Sequence, residues 1–574
     1  MGKYWQILRG YKWSLVLCPL LVLTFVVCET LQPMLMARIV DDGVMVKDIG
    51  VVTRVGLYML GISFLGLGAN IANVFISSNT SVGFATDLRG WLFDKIQTYS
   101  FAEIDKFNSV SLITRLTTDI TRLQQVVLLG LRLMLRSPMM LVLAFVYVMR
   151  INSGLALIVA AAIPVLGVAV YFILKKGFPF FMRMQQKVDS LNAVVRENLI
   201  NIRVVKSFVR EKHESRKFSA SNVDLQDISI RAANIIVTIF PVMQLVLNLS
   251  VIAVLWVGGN QVEQGNLKVG EMVSLVNYLM QILMSLMMMS MIIMNIARAS
   301  ASSDRILEVL DTESSLTDSP EALAQEDRIG RGSVSFKGVS FRYGGGETDV
   351  LHNISFDVRS GQTVAVVGAT GSGKTTMLQL IPRLYDVTSG TLSVNGRDVR
   401  DYALEELHRE VGMVLQKNVL FSGTIEENLR WGKEDASFDE LVEATKAAQA
   451  HEFIMSFPEG YATVLGRGGV NLSGGQKQRI CIARSLVARP KVLILDDSTS
   501  AVDTETEKKM REGLKEYLDG TTVFIATQRL RTMDEADMVL ILDDGRVESF
   551  GTPAQLRGES AIYKEIVDSQ QFTF

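Results

Sequence analysis

The chain has 574 residues, about four soluble domains on a length prior, yet 48% of them are hydrophobic and the mean hydropathy is +0.27. That strains a wholly soluble reading and makes membrane insertion the first hypothesis. The 58 Lys and Arg nearly balance the 60 Asp and Glu, which excludes a disordered charged tail or a basic nucleic-acid binder as the dominant character, so no nucleic-acid partner is expected. Cys18, Cys28 and Cys481 are too few and too scattered for a disulfide framework or a zinc site.

In chain order, the first 310 residues alternate uncharged runs with polar stretches. Residues 55–86, 151–174, 232–262 and 272–297 carry no charge, and each meets the roughly 20 apolar residues a helix needs to cross a ~30 Å hydrocarbon core. Two further runs are interrupted, one by Pro19, Glu29 and Pro33, the other by Arg132, Arg136 and Pro138. Six spans are expected, near 13–38, 55–80, 128–149, 155–174, 233–258 and 272–297. Residues 175–231 hold twelve Lys and Arg against six acids, so this stretch and the N-terminus (Lys3, Arg9, Lys12) belong in the cytoplasm. The first span has no small-residue cleavage site after it and reads as retained. The polar stretches 87–125 and 175–231 keep a helical rhythm, as in Ile202, Val204, Val205 and Phe208, and read as helices prolonged beyond the bilayer, long solvated loops being the alternative.

Residues 311–331 form a polar linker, and a second domain is expected over 332–574. It opens with the alternating strand pattern of Gly332 to Tyr343. The strand TVAVVG, the loop Gly368-Ala369-Thr370-Gly371-Ser372-Gly373-Lys374-Thr375-Thr376 and the apolar helix start MLQLI follow. Strand, glycine loop and helix in that order are what a phosphate cradle requires: backbone N–H groups close around phosphates where no Cβ intrudes, and the helix N-terminus adds partial positive charge. Lys374 is expected to reach the β and γ phosphates of ATP, and Thr375 to bind Mg²⁺. Asp496, ending the apolar run Val492 to Leu495, would be the second metal anchor. The fold class is thus an all-α six-helix membrane domain with cytoplasmic helical extensions, followed by an α/β P-loop NTPase domain.

Asn471-Leu472-Ser473-Gly474-Gly475-Gln476, just before the Asp496 strand, makes the chain resemble an ATP-binding-cassette protein over almost its whole length. Six spans ahead of one cassette resemble a half-transporter of the type IV exporter fold, which implies a dimer exchanging a helix pair. The resemblance implies that Tyr343 stacks on adenine and that Gln416 meets Mg²⁺ or the attacking water. It also implies that Ser473, Gly474, Gly475 and Gln476 face a nucleotide held by the partner chain, and that Asp503 lies in the loop crossing between the two sites. Coupling helices are implied near Phe101 to Phe107 and Val205 to Glu211.

Two positions depart from the family pattern. Asp497 replaces the glutamate that orients the hydrolytic water, one methylene short, and a displacement of ~1 Å can cost about a hundredfold. Gln528 replaces a histidine and can donate a hydrogen bond without carrying charge. Both changes strike hydrolysis and spare binding. They imply a slow ATP site resembling the degenerate chain of bacterial heterodimeric exporters, whose signature completes a competent site on a second half-transporter chain. A homodimer hydrolysing slowly is the alternative.

Eight of the 26 methionines lie in the sixth span. Met284, Met287, Met288 and Met291 could form an adaptable surface for hydrophobic small molecules or simply fill the span. Glu29 lies within the first span, where an ionisable group faces a cavity or partner and could attract cationic compounds. Arg132 and Arg136 could snorkel or pair with an acid. Asp41 and Asp42 could close an external gate or simply end a helix in solvent. The expected function is ATP-driven export of hydrophobic or amphipathic compounds of multidrug type across a bacterial plasma membrane. Lipid, peptide or metallophore transport, and an ATP-gated regulatory membrane protein, are the alternatives.

Overall fold

The computed structural model describes residues 2–318, 332–344, 346, 348–497 and 502–571. Among them, six helical stretches are long and apolar enough to cross a membrane. These are α1 (Lys3–Val44), α2 (Ile49–Gln97), α4 (Ser109–Ile151), α5 (Ser153–Ile200), α7 (Glu211–Glu263) and α8 (Val269–Asp311), the last apolar over Val269–Leu286. The short helices α3 (Phe101–Phe107) and α6 (Ile202–Ser207) stand between α2 and α4 and between α5 and α7. At ~1.5 Å per residue, the 49 residues of α2 and 48 of α5 are more than twice as long as a ~30 Å core requires. The polar stretches following the uncharged runs are therefore helix rather than loop. Leu57, Phe64, Ile71 and Phe75 form an exposed stripe along α2, a surface suited to lipid or to another apolar face. Val209, β-branched with φ 53°, closes α6 two residues beyond its end, earlier than the 205–211 segment implied by resemblance.

Two compact units divide the chain: residues 1–95 with 113–311, and residues 96–112 with 312–574. The segment carrying α3 thus groups with the second unit, although both its neighbours in sequence are spanning helices.

In the first unit, Tyr278 is fully buried, stacks on Tyr147 with centroids 5.6 Å apart, and donates to Thr30 O at 2.7 Å. Asp119, also fully buried, accepts from Arg305 Nε at 2.8 Å and from Ser302 Oγ at 2.9 Å, so both carboxylate oxygens are engaged across 186 residues of chain. Asp41 accepts from Gly270 N at 2.6 Å, capping the start of α8, while Lys268 reaches Asp42 at 3.2 Å. Gly270 has to be glycine here, because a Cβ would lie 2.4 Å from Ala37 O.

Among the described residues, the second unit is built on two larger sheets and a two-stranded pair of Gly423–Thr424 with Val464–Leu465. The strands β1 (Val334–Phe341), β2 (Leu351–Val358) and β4 (Ser389–Val394) pair antiparallel in the order β2-β1-β4. The larger sheet contains β3 (Thr363–Val367), β5 (Val411–Val414), β6 (Val492–Asp496), β7 (Thr522–Ala526), β8 (Met538–Asp543) and β9 (Arg546–Gly551). Its order is β9-β8-β3-β7-β6-β5, parallel except for β9. The strands β3 and β6 are continuous apolar runs, as burial on both faces of a parallel sheet demands.

Candidate functional site

Register places the site. Val366 of β3 pairs with Ala526 of β7, which pairs with Asp496 of β6, while Leu495 pairs with Val414 of β5. The chain therefore leaves all four strands at one edge, and the loops carrying Gly368 to Gly373, Gln416, Asp497 and Gln528 converge at the carboxyl ends of parallel strands, where such sheets bind ligands.

Gly368 adopts φ 153°, and a Cβ there would lie 2.2 Å from Leu542 O. Gly373 adopts φ 94° directly before α9 (Lys374–Leu380), and a Cβ on it would lie only 2.7 Å from Leu351 Cδ2. Lys374 Nζ folds back onto Gly368 O and Ala369 O at 2.8 Å each. Burial lowers its pKa, opposed by Asp496 and Asp497.

Thr375 Oγ1 donates to Asp496 Oδ1 at 3.0 Å, whereas Asp496 Oδ2 is buried with no hydrogen-bond partner among the described residues. Burial, then the neighbouring Asp497, raises the Asp496 pKa against the Thr375 hydrogen bond and Lys374. A buried carboxylate oxygen without a partner is costly. Beside a threonine hydroxyl, it presents the hard oxygen donors that Mg²⁺ prefers, so the residues fit that ion.

Lys374, Thr375, Gln416, Asp496, Asp497 and Gln528 line one cleft of about 410 Å³ with Thr370, Gly371, Gly373 and Thr376. Tyr343 stands behind Thr376, its hydroxyl 3.0 Å from Thr376 Oγ1. Asp497 has φ 47°, in a region that Asp tolerates better than most side chains. Its carbonyl accepts from Gln478 Nε2 at 3.4 Å, and Gln478 is buried in α10 (Gly474–Val487).

Ser473, Gly474, Gly475, Gln476 and Asp503 are not among the residues lining this cleft. Ser473 and Gln476 form a reciprocal capping box at the start of α10, with Gln476 Oε1 accepting from Ser473 N at 2.9 Å. Asp503 caps α11 (Thr504–Tyr517), accepting from Thr506 N at 2.9 Å. The S-x-x-Q spacing is itself a helix-start signal. The Tyr343–Thr376 contact and the Gln478 bond to Asp497 escaped sequence reasoning, having no motif to announce them.

In the first unit, Glu29 is engaged by Arg136 at 2.8 and 3.1 Å, and the guanidinium lies over the Phe25 ring, 4.6 Å from its centroid. Met284 is 61% exposed and Met288 36%. The side chains of Met287 and Met291 lie outside the described residues.

Comparison with known proteins matches residues 15–286 to the ABC transporter transmembrane region and residues 351–500 to the ABC transporter domain. The Bacillus subtilis protein YfiB, an uncharacterized ABC transporter ATP-binding protein, is 41% identical, covering 99% of this chain and 98% of that protein. YgaD of the same organism, named provisionally as a multidrug export ATP-binding/permease protein, is 33% identical over 99% of both. A solved bacterial Atm1-family ABC exporter with ATP bound has a TM-score of 0.83 at 25% identity, covering 98% of this chain and 99% of that one.

Proposed function

The chain belongs to the ATP-binding-cassette transporter family, a multi-pass membrane protein with a cytoplasmic ATP-binding cassette, and from that premise we propose that it is one half of a heterodimeric exporter of hydrophobic or amphipathic compounds whose own ATP site hydrolyses slowly. The observation carrying this reading is the composition of one cleft: Lys374, Thr375 and Asp496 line it together with Asp497 and Gln528. Residue types suited to holding ATP adjoin residue types ill suited to splitting it.

In this reading Tyr343 supports the adenine and Lys374 the β and γ phosphates. Thr375 and Asp496, with Gln416, would hold Mg²⁺, which supplies neutralisation of phosphate charge when bound. Asp497 sits where a water-orienting carboxylate would act, one methylene short, and Gln528 offers a neutral donor to the γ-phosphate. Ser473 to Gln476, at a helix start outside this cleft with Ser473 and Gly474 exposed, serve the partner chain's nucleotide, and Asp503 crosses toward it. ATP binding draws the cassettes together and turns the transport path outward, and hydrolysis at the partner's site resets it.

The Glu29–Arg136 ion pair, whose charges offset one another, and the exposed Met284 support an apolar or amphipathic cargo. YgaD's name supports the multidrug class, and the bacterial relatives support a bacterial plasma membrane. The test is steady-state Mg-ATPase activity of this chain alone in lipid nanodiscs, with ATP binding measured separately and Lys374→Ala as control. ATP binding with turnover near the control is the expected result. Turnover of ~1 s⁻¹ or faster, abolished by Lys374→Ala, would instead establish a working homodimer.

A further inference from the structure

Behind Tyr343, three aromatic rings meet. Tyr343 stands edge-on to Tyr385, with centroids 5.2 Å apart and planes at 88°, and both lie against Phe341 at 4.9 and 5.6 Å. Edge-to-face contact is directional, so the position of one ring constrains the other. On its far side Tyr385, 8% exposed, donates its phenolic hydrogen to Asp105 Oδ2 at 2.6 Å, while the Phe101 ring lies 6.1 Å away. Phe101 and Asp105 are four residues apart on α3 and so share one helix face.

The helix α3 does not need this bond to form. Ser100 and Glu103 make a complete capping box at its start, Ser315 N donates to Glu103 Oε1 at 3.1 Å, and Tyr99 stacks on Phe107 with centroids 5.8 Å apart. The Tyr385–Asp105 bond adds something else. A phenol donating to a carboxylate is short and about twice as strong as a neutral bond, and it fixes the helix to the ring that touches Tyr343. At its other end, Tyr343 is tied by its hydroxyl to Thr376 on α9.

We propose that Tyr385 is a positioning residue through which the purine base seated on Tyr343, as distinct from the phosphates, sets the position of α3. A base stacking on Tyr343 fixes the tilt of that ring, the edge contact passes the constraint to Tyr385, and the hydrogen bond to Asp105 delivers it to the one segment of the second unit that is flanked in sequence by two spanning helices. The proposal rests on the reading of Tyr343 as the adenine platform.

The experiment is hydrogen–deuterium exchange of the full chain in lipid nanodiscs, read at residues 99–108, with saturating Mg-ATP or Mg-tripolyphosphate. Slowed exchange with ATP but not with tripolyphosphate is the expected outcome. Tyr385→Phe, which keeps the ring and removes only the donor, and Asp105→Ala, at an exposed position, should each lose the ATP-dependent slowing. An equal effect of tripolyphosphate, or slowing that persists in Tyr385→Phe, overturns the relay. Tyr343→Ala separates the two readings. If it leaves ATP affinity unchanged, the platform itself fails. If it weakens ATP but not tripolyphosphate while Tyr385→Phe keeps the slowing, the relay alone fails.

Discussion

Asp119 and Asp496 are buried to nearly the same degree, 0% and 2% exposed, yet they are satisfied differently. Asp119 has both oxygens bonded, to Arg305 and Ser302. Asp496 has one oxygen on Thr375 and the other, among the described residues, on nothing. A buried carboxylate closed by a guanidinium holds two helices together, whereas one left half open stores a cost that an incoming cation or a proton relieves. The state of the second oxygen, more than burial or residue type, separates structure from site.

The largest expected effect comes from breaking the closed case. Asp119→Ala leaves the buried Ser302 hydroxyl and the 41% exposed Arg305 side chain without their acceptor and should cost about 3 kcal/mol, seen as a large fall in melting temperature with no selective effect on nucleotide affinity. Gaining chemistry at the open site ranks next. Asp497→Glu with Gln528→His should raise single-turnover hydrolysis by up to about a hundredfold, with Asp497→Glu alone yielding less, because φ 47° suits aspartate better than glutamate. Asp496→Asn should weaken Mg-ATP by about 2 kcal/mol, roughly thirtyfold by titration calorimetry. The same variant should raise the melting temperature of the empty protein slightly, because an uncompensated buried charge is gone. A fall would erase the contrast with Asp119.

The smallest effect concerns α3. Burial raises the Glu103 pKa, but hydrogen bonds from Ser100 and Ser315 outweigh it and hold the group below its usual 4.5. The folded value being depressed, its stabilisation is complete above the unfolded pKa and disappears as pH falls through the folded one. Melts taken from neutral to acid pH should show Glu103→Gln destabilised at neutral pH, with the difference from wild type closing below 4.5.

How much was legible follows from how the information is written in the chain. The phosphate loop is contiguous and sits between a strand and a helix, so its nine residues announce themselves, and Asp496 is marked by the apolar run it ends. The spans were readable because a bilayer imposes length and excludes charge. The Asp119–Arg305 and Asp105–Tyr385 bonds join residues 186 and 280 apart, and no local pattern marks either partner. The left-handed backbone at Asp497 was hidden for another reason: aspartate is ordinary at many angles, so its identity does not disclose its φ. Glu29 was readable as an anomaly in a span, but its partner Arg136 on α4 became definite only in three dimensions.

Lys374 already has two carbonyl ligands of its own, Gly368 O and Ala369 O. Nucleotide entry at this loop is therefore an exchange of ligands and not the occupation of a bare cation: each phosphate oxygen that approaches competes with the protein's own backbone. The half-buried ammonium is held by the loop's own carbonyls. Tenancy by ATP is correspondingly looser than the charge count alone would suggest, because eviction leaves the lysine with somewhere to go.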